Sequence, residues 1–379
     1  MVEDGSLGRG PKHALHAAEV AKIATATGAK SATAQGRRHI RSPDKRPAHS
    51  RSVSIRYGRL FFCSRILTMD FWSKLPKPFI ALAPMEGVTD VVFRHVVAKA
   101  ARPDVFFTEF TNAASFASEK GNMNARMRLE FTPDEQPIVA QIWGRNPTDF
   151  ETTAQGLVGM GYGAIDINMG CPDKNVVRTG GGSDLIRHPR LAADIIAVTK
   201  RAGLPVSVKT RLGYSELEEW QDWITFLLRQ GISCLTVHLR TKKEMSKVEA
   251  HYELIPELMR IRDEAAPNTL LMINGDVKDA LDATKMVEQF DVDGVMIGRG
   301  IFQNPYCFER KPRAHGKDDL IRLLLFHLDE HDRYPDRKFD PLKRFFKVYV
   351  RDFSGASEIR EKLMHTESSE EVRAILNKV

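Results

Sequence analysis

Three groups of residues in this chain of 379 carry functional side chains at spacings that suit chemistry. The first holds a thiol. Cys171 stands in Asn168-Met169-Gly170-Cys171-Pro172, where glycine and proline hold it in a turn rather than in a packed element. That placement suits a chemically active group. An inert loop thiol is the plain alternative. The second group comprises Asn274-Gly275-Asp276 and Gly298-Arg299-Gly300. Their glycines let backbone N–H groups approach an anion, and Arg299 offers a charged fork. Either stretch alone also reads as a tight turn. The third group is Gln141, Lys209 and His238, each at the end of a short apolar run. A lone histidine is more often structural than functional, but this one has a lysine and two anion-suited loops for company.

The elements that must position these groups repeat. Eight short apolar runs occur at Phe79–Ala83, Val105–Thr108, Ile138–Ile142, Ala164–Ile167, Val206–Val208, Cys234–Val237, Leu270–Ile273 and Gly294–Ile297. Strands buried on both faces read this way. Helical segments separate them, such as Pro147–Gly161 and Pro189–Ala202, the latter followed by Gly203. Eight β–α units predict an α/β fold of the (β/α)₈ TIM-barrel kind. An open doubly wound sheet is the competitor, but Ala83-Pro84-Met85-Glu86-Gly87 after the first run is not its glycine-rich turn.

A barrel gathers the carboxyl ends of its strands at one mouth. The runs would deliver Pro84, Met85 and Glu86; Glu109 and Asn112; Gln141; Asn168 and Cys171; Lys209 and Arg211; His238 and Arg240; Asn274 to Asp276; and Gly298 with Arg299. A ring of polar side chains on apolar strands implies a polar ligand. Barrels often hold phosphate in the loops after strands seven and eight, where both glycine-flanked stretches fall. Lys209 then has three open uses: a Schiff base, a phosphate contact, or positive charge beside a flavin.

Beyond Pro305 the alternation stops, and residues 318–379 read as helical: Asp318–Arg333, Pro341–Phe353, and Ser357–Lys378, the last divisible in two. The chain thus divides into a barrel over 69–312 and a small C-terminal all-helical domain over 313–379. Residues 333–351 carry seven Lys/Arg against two Asp. On a continuous helix, Lys343, Lys347 and Arg351 would share one face, a candidate RNA contact or an ordinary solvated face. Residues 1–68 hold thirteen Lys/Arg and four Asp/Glu, whereas the remainder holds 43 and 45. The basic balance therefore belongs to this low-complexity extension, read as disordered. Three readings of it are open: a start at Met69, a basic arm, or a transit peptide that Glu3 and Asp4 argue against. No run of about 18 apolar residues suggests a membrane span. Four cysteines without a CxxC pair or ligand spacing predict neither metal nor disulfide framework, and a reducing cytoplasmic setting.

Taken in order, these residues resemble the tRNA-dihydrouridine synthase family in its bacterial type. The likeness runs from about Pro78 to Phe308. It rests on Ala83-Pro84-Met85-Glu86-Gly87-Val88-Thr89-Asp90 with Phe93-Arg94, Thr108-Glu109, Gln141, Asn168-Met169-Gly170-Cys171-Pro172 and Gly180-Gly181-Gly182. It continues through Val208-Lys209-Thr210-Arg211, Val237-His238-Leu239-Arg240-Thr241, Asn274-Gly275-Asp276, and Gly298-Arg299-Gly300 with Asn304-Pro305. The resemblance implies FMN as cofactor, NADPH as reductant and tRNA as substrate. It implies that Pro84, Met85 and Glu86 lie against the flavin, that Gln141, Lys209 and His238 contact its ring and ribityl chain, and that Asn274, Gly275, Asp276, Gly298 and Arg299 hold its phosphate. Cys171 becomes the general acid; Asn112, Arg211 and Arg240 become contacts to the target nucleotide; and the helical domain becomes the tRNA-binding part of a monomer. Many members carry a Tyr-x-Gly stretch after the His238 motif, where this chain has Met245-Ser246-Lys247-Val248. Two rivals remain from the residues alone. One is a flavin barrel acting on a small molecule, which leaves the basic tail unexplained. The other is a barrel kept only as an RNA-binding scaffold, which leaves Cys171 and Lys209 unexplained.

Overall fold

The computed structural model describes residues 71–378. The expectations for residues 1–68, and for a start at Met69, lie outside the described residues. Strand segments run in the order β1 (Phe79–Leu82), β2 (Phe106–Phe107), β3 (Thr111–Asn112), β4 (Ile138–Trp143), β5 (Ala164–Met169), β6 (Val206–Arg211), β7 (Cys234–His238), β8 (Leu270–Asn274) and β9 (Gly294–Ile297). All neighbouring pairs are parallel, and β2 and β3 are two pieces of one stave beside β4. The ring closes between β1 and the start of β2. Ala81 bridges Val105, the Leu82 N–H donates to the Val105 carbonyl at 3.2 Å, and the Asp104 N–H donates to Ile80 at 2.8 Å. Eight staves thus form a closed barrel, and all eight apolar runs became staves.

Side chains alternate across a strand, so each stave sends every second residue inward. Phe79, Ala81, Ala83, Val105, Phe107, Val139, Ala164, Cys234, Met272 and Met296 fill the interior with Trp72, which precedes β1. The opposite faces, such as Ile80, Leu82, Ile138, Ile165 and Val208, pack against the surrounding helices. Burying each such side chain contributes roughly 1.5–3 kcal/mol, which is why runs apolar on both faces take this position. Helix starts follow local chemistry: Asp90 accepts from the Phe93 N–H at 2.9 Å, and Asn146 caps the helix Pro147–Leu157, which opens with proline.

The C-terminal region is helical throughout: Lys317–Asp332, Phe346–Tyr349, Ala356–Met364 and Ser369–Leu376. The first packs along Val91–Ala100, the helix after β1. Phe93 stacks on Phe345 at 4.5 Å, and His95 bonds Glu330 at 2.8 Å. One expectation fails here. Pro341–Phe353 is not a single helix. It is a 3₁₀ segment Asp340–Phe345, a single turn Phe346–Tyr349, and a break at Val350 with φ −100° and ψ 82°. Phe345, Phe346, Val348, Tyr349 and Val350 are all buried. One face of an α-helix cannot bury so dense a run, so the chain tightens and then leaves the helix.

Candidate active site

The strand registers assemble the mouth. Gln141 lies opposite Asp166, Asp166 opposite Ser207, Asn168 opposite Lys209, Arg211 opposite His238, and His238 opposite Asn274. Moving up each stave by twos, the inward positions turn from apolar to polar: Val139 to Gln141, Ala164 through Asp166 to Asn168, and Met272 to Asn274. The result is an apolar plug below and a polar floor above. Over that floor lies a cavity of about 530 Å³ bordered by Pro84, Met85, Lys209, Arg211, His238, Asn274, Gly275, Asp276, Gly298 and Arg299. Residues that follow five separate staves, β1 and β6 to β9, therefore meet in one place.

The cavity is rich in cations. The Lys209 Nζ donates to Asn274 Oδ1 at 3.1 Å. Arg299 donates to Asp276 Oδ1 at 2.9 Å, and Arg240 donates to the other oxygen of that carboxylate. Asp276 is thus shared between two guanidiniums, while the buried Arg240 Nη1 has no hydrogen-bond partner. Burial first, and the Arg211 charge second, pull the Lys209 ammonium down to about 8. Burial also lowers Arg211, to about 10. Burial, then Arg211 and Lys209, hold His238 well below the usual imidazole range, so it is neutral at pH 7. Such a cluster is stabilised by an anion. Its loops leave room for one: Gly275 has φ +133°, and Asp276 has φ +52°. At Gly300 a Cβ would lie 2.2 Å from the Lys278 carbonyl, so the two loops approach as closely as they do only because that side chain is absent.

Cys171 is half-buried on the turn after β5. Asn168 Oδ1 accepts from the N–H groups of Gly170 at 3.1 Å and Cys171 at 2.9 Å, and the Cys171 carbonyl accepts from Ser183 N–H at 3.0 Å. Arg211 Nε reaches across from β6 to the Gly170 carbonyl at 2.8 Å. Burial pushes the Cys171 thiol up, so it keeps its proton at neutral pH. Cys234 and Cys307 are buried within the core, as small hydrophobes.

Not every expected residue joins this cavity. Glu86 pairs with Arg128 at 2.6 Å and borders a neighbouring cavity of about 440 Å³ together with Asn112. Asn112 caps the short helix Ala113–Ala117 by accepting from Ser115 N–H at 2.9 Å. Gln141 lies deeper, fully buried, with its amide engaged by Asp166 and Asn168. Arg240 is 2% exposed and also donates to the Val248 carbonyl at 2.7 Å, a bracing position under the loop. The single helix that would align Lys343, Lys347 and Arg351 is not formed: the chain passes from 3₁₀ to α at Phe346 and leaves the helix at Val350, before Arg351. Lys343 pairs with Asp340 at 2.8 Å, Arg351 donates to the Gln303 carbonyl, and only Lys347 of the three is exposed. Arg337 and Arg344 instead tie the tail to the barrel mouth, at Asp90 (2.8 Å) and at the Gly87 carbonyl (2.7 Å). Sequence reasoning missed Asp166, Ser207 and Arg128. Stepping back by two from Asn168 and from Lys209 would have exposed the first two as inward-facing; no sequence signal pairs Arg128 with Glu86. Among the described residues no group of His, Cys, Asp and Glu is arranged to hold a metal ion, and no helix is long and apolar enough to cross a membrane.

Known proteins are similar to this chain in sequence. The family model described as dihydrouridine synthase matches residues 81–379. The "Probable tRNA-dihydrouridine synthase 2" of Bacillus subtilis (strain 168) is 55% identical over 314 residues, covering 82% of this chain and 97% of its own. The "Probable tRNA-dihydrouridine synthase" of Staphylococcus aureus (strain COL) is 56% identical over 311 residues, covering 81% and 95%. Its counterpart in Staphylococcus epidermidis (strain RP62A) is 54% identical over the same length.

Proposed function

The chain belongs to the dihydrouridine synthase family, and from that premise we propose that it reduces the C5–C6 bond of uridine in tRNA, with FMN bound in the 530 Å³ cavity and Cys171 as the proton donor. The observation that carries the reading is the convergence of a protonated thiol turn on β5 with the cationic cavity on β6 to β9. The cavity suits FMN on its own terms. Arg299, on the Asp276 that Arg240 braces from below, and the glycine-relieved backbone of the two last loops match a phosphate, and Lys209, Asn274 and His238 match the polar edge of a ring. FMN held there by Arg299, Lys209 and the two last loops would supply the hydride that C6 of the uracil takes up, with NADPH as the source of its electrons.

The chain's own groups do the rest. Hydride arriving at C6 leaves charge conjugated to the C4 carbonyl. Cys171 holds the proton that C5 then needs, and its raised pKa keeps that proton in place until carbanion character develops. Lys209 and Arg211 place positive charge where the ring system gains electrons. Neutral His238 adds a hydrogen bond without a further positive charge. Uridine must leave its stack to reach such a recess, so the RNA is engaged with the base extruded. NADPH as reductant, a monomeric state and action in the cytoplasm complete the reading.

The decisive experiment is Cys171→Ala. The variant is expected to retain bound flavin, seen by visible absorbance, and to be reduced by NADPH as fast as wild type. Dihydrouridine formation in unmodified tRNA, counted by nucleoside mass spectrometry, should fall by about 10²- to 10⁴-fold, the usual worth of a positioned acid. Full turnover by the variant would remove Cys171 from its role.

A further inference from the structure

We propose that Asp166 is a positioning residue, setting the polarity of a chain of side-chain amides that ends on the turn carrying Cys171. The proposal rests on Cys171 being the acid. Asp166 lies on β5 at the barrel centre, fully buried. One oxygen accepts from Ser207 Oγ at 2.6 Å and the other from Gln141 Nε2 at 2.7 Å. Burial pushes the Asp166 carboxyl up to about 6, which leaves it ionised at neutral pH. An ionised carboxylate only accepts, so Gln141 must turn its NH₂ toward it. The Gln141 oxygen then faces Asn168 and can only accept, from Asn168 Nδ2 at 2.9 Å. That leaves Asn168 Oδ1 pointing up the strand, where it meets the N–H groups of Gly170 and Cys171.

Each amide has two orientations, and in isolation they differ little. Here one carboxylate selects for all of them. Were the chain reversed, Asn168 would aim an NH₂ at two backbone N–H donors and the turn would lose both bonds. Lys209 is the cation beside this array, opposite Asn168 in register, and it does not replace any member. The same carboxylate thereby governs how firmly the thiol is held, although Cys171 is five residues away and makes no contact with it. Losing that orientation costs rate without removing any group that meets the substrate.

The test reads the turn directly, by peptide-resolved alkylation of Cys171 with iodoacetamide in the flavin-loaded protein. Asp166→Asn is isosteric but offers an NH₂, so Gln141 is free to turn over; alkylation is expected to quicken by about tenfold and dihydrouridine formation to drop by on the order of 100-fold. Ser207→Ala removes a hydrogen bond from the same carboxylate but, at a pH high enough to keep that carboxylate ionised without it (about 8.5), leaves the amide polarity intact, and should alkylate there at the wild-type rate. The double variant Asp166→Asn with Gln141→Glu restores an acceptor-only group one step along, and should return alkylation toward wild type. Equal quickening in Asp166→Asn and Ser207→Ala would reduce the network to general packing and overturn the proposal, as would an unchanged rate in Asp166→Asn. If Asp166→Asn fails to fold, a folded double variant with a wild-type alkylation rate supports the relay, and a double variant that also fails to fold counts against it. Cys171→Ala separates the two claims. Its full activity would sink the acid while leaving the alkylation result standing as a statement about the turn.

Discussion

Lys209→Met removes a half-buried ammonium from the cavity floor and substitutes an uncharged side chain of similar length. Burial and Arg211 bring that ammonium down to about 8 from the 10.5 of an exposed lysine. A difference of that size corresponds to roughly 3 kcal/mol at pH 7, held against the fold of the flavin-free protein. Lys209 borders an open cavity, and water there relieves part of it, so about 2 kcal/mol is the working figure. The sign follows from proton counting. Between pH 8 and 10.5 the unfolded chain binds this proton and the folded chain does not, so stability rises with pH across that window. Below pH 8 the full cost stands. Stripped of flavin, Lys209→Met should therefore melt above wild type at pH 7, with the gap closing as pH approaches 10. Loss of the 3.1 Å bond to Asn274 offsets about 1 kcal/mol of this gain. The same change should weaken FMN binding by about 10- to 100-fold, since a charge-assisted hydrogen bond contributes roughly 1.5–3 kcal/mol. Differential scanning fluorimetry on stripped protein and titration of FMN by flavin fluorescence quenching read the two effects. A variant that melts lower than wild type at pH 7 and binds FMN equally well would refute the assignment of Lys209 as a cation kept for an anionic ligand.

The other predictions concern two loops. Gly300→Ala drives a Cβ to within 2.2 Å of the Lys278 carbonyl, so the loops after β8 and β9 must part; the purified variant should carry little flavin by absorbance, and a fully loaded one would show that the loops tolerate the shift. Glu109 is 5% exposed, and burial followed by Asp90 and Glu86 raises its carboxyl to about 7. A raised folded pKa means that stability is fully present below about pH 4.5 and is lost as pH climbs to about 7. Glu109→Gln keeps an acceptor for the Gly87 N–H and cannot ionise, so it should gain about 1 kcal/mol at pH 5 and about 3 kcal/mol at pH 8. Equal shifts in chemical-denaturation midpoint at the two pH values would contradict this.

What could be read from the sequence was chemistry carried by neighbours along the chain. The Cys171 turn, the Asn274 and Arg299 loops and the eight apolar runs depend on residue type and spacing over a few positions, and each took its expected form. Lys209, His238 and Asn274 were legible because each ends such a run, and parallel strands share one carboxyl end. The tertiary structure alone decided which polar groups meet inside. The inward phase of Asp166 and Ser207 follows from Asn168 and Lys209 two residues on, but that Asp166 meets both Gln141 and Ser207 depends on the register between staves. Arg128 meets Glu86, and Arg240 with Arg299 divides Asp276, because ion pairing follows distance in space and is silent about separation in sequence. The tail shows the reverse: Lys343, Lys347 and Arg351 fit a helical repeat, but burying Phe345, Phe346, Val348, Tyr349 and Val350 outweighed that periodicity. Local propensity amounts to tenths of a kcal/mol per residue, whereas each buried aromatic contributes roughly 1.5–3 kcal/mol, so the packing prevailed.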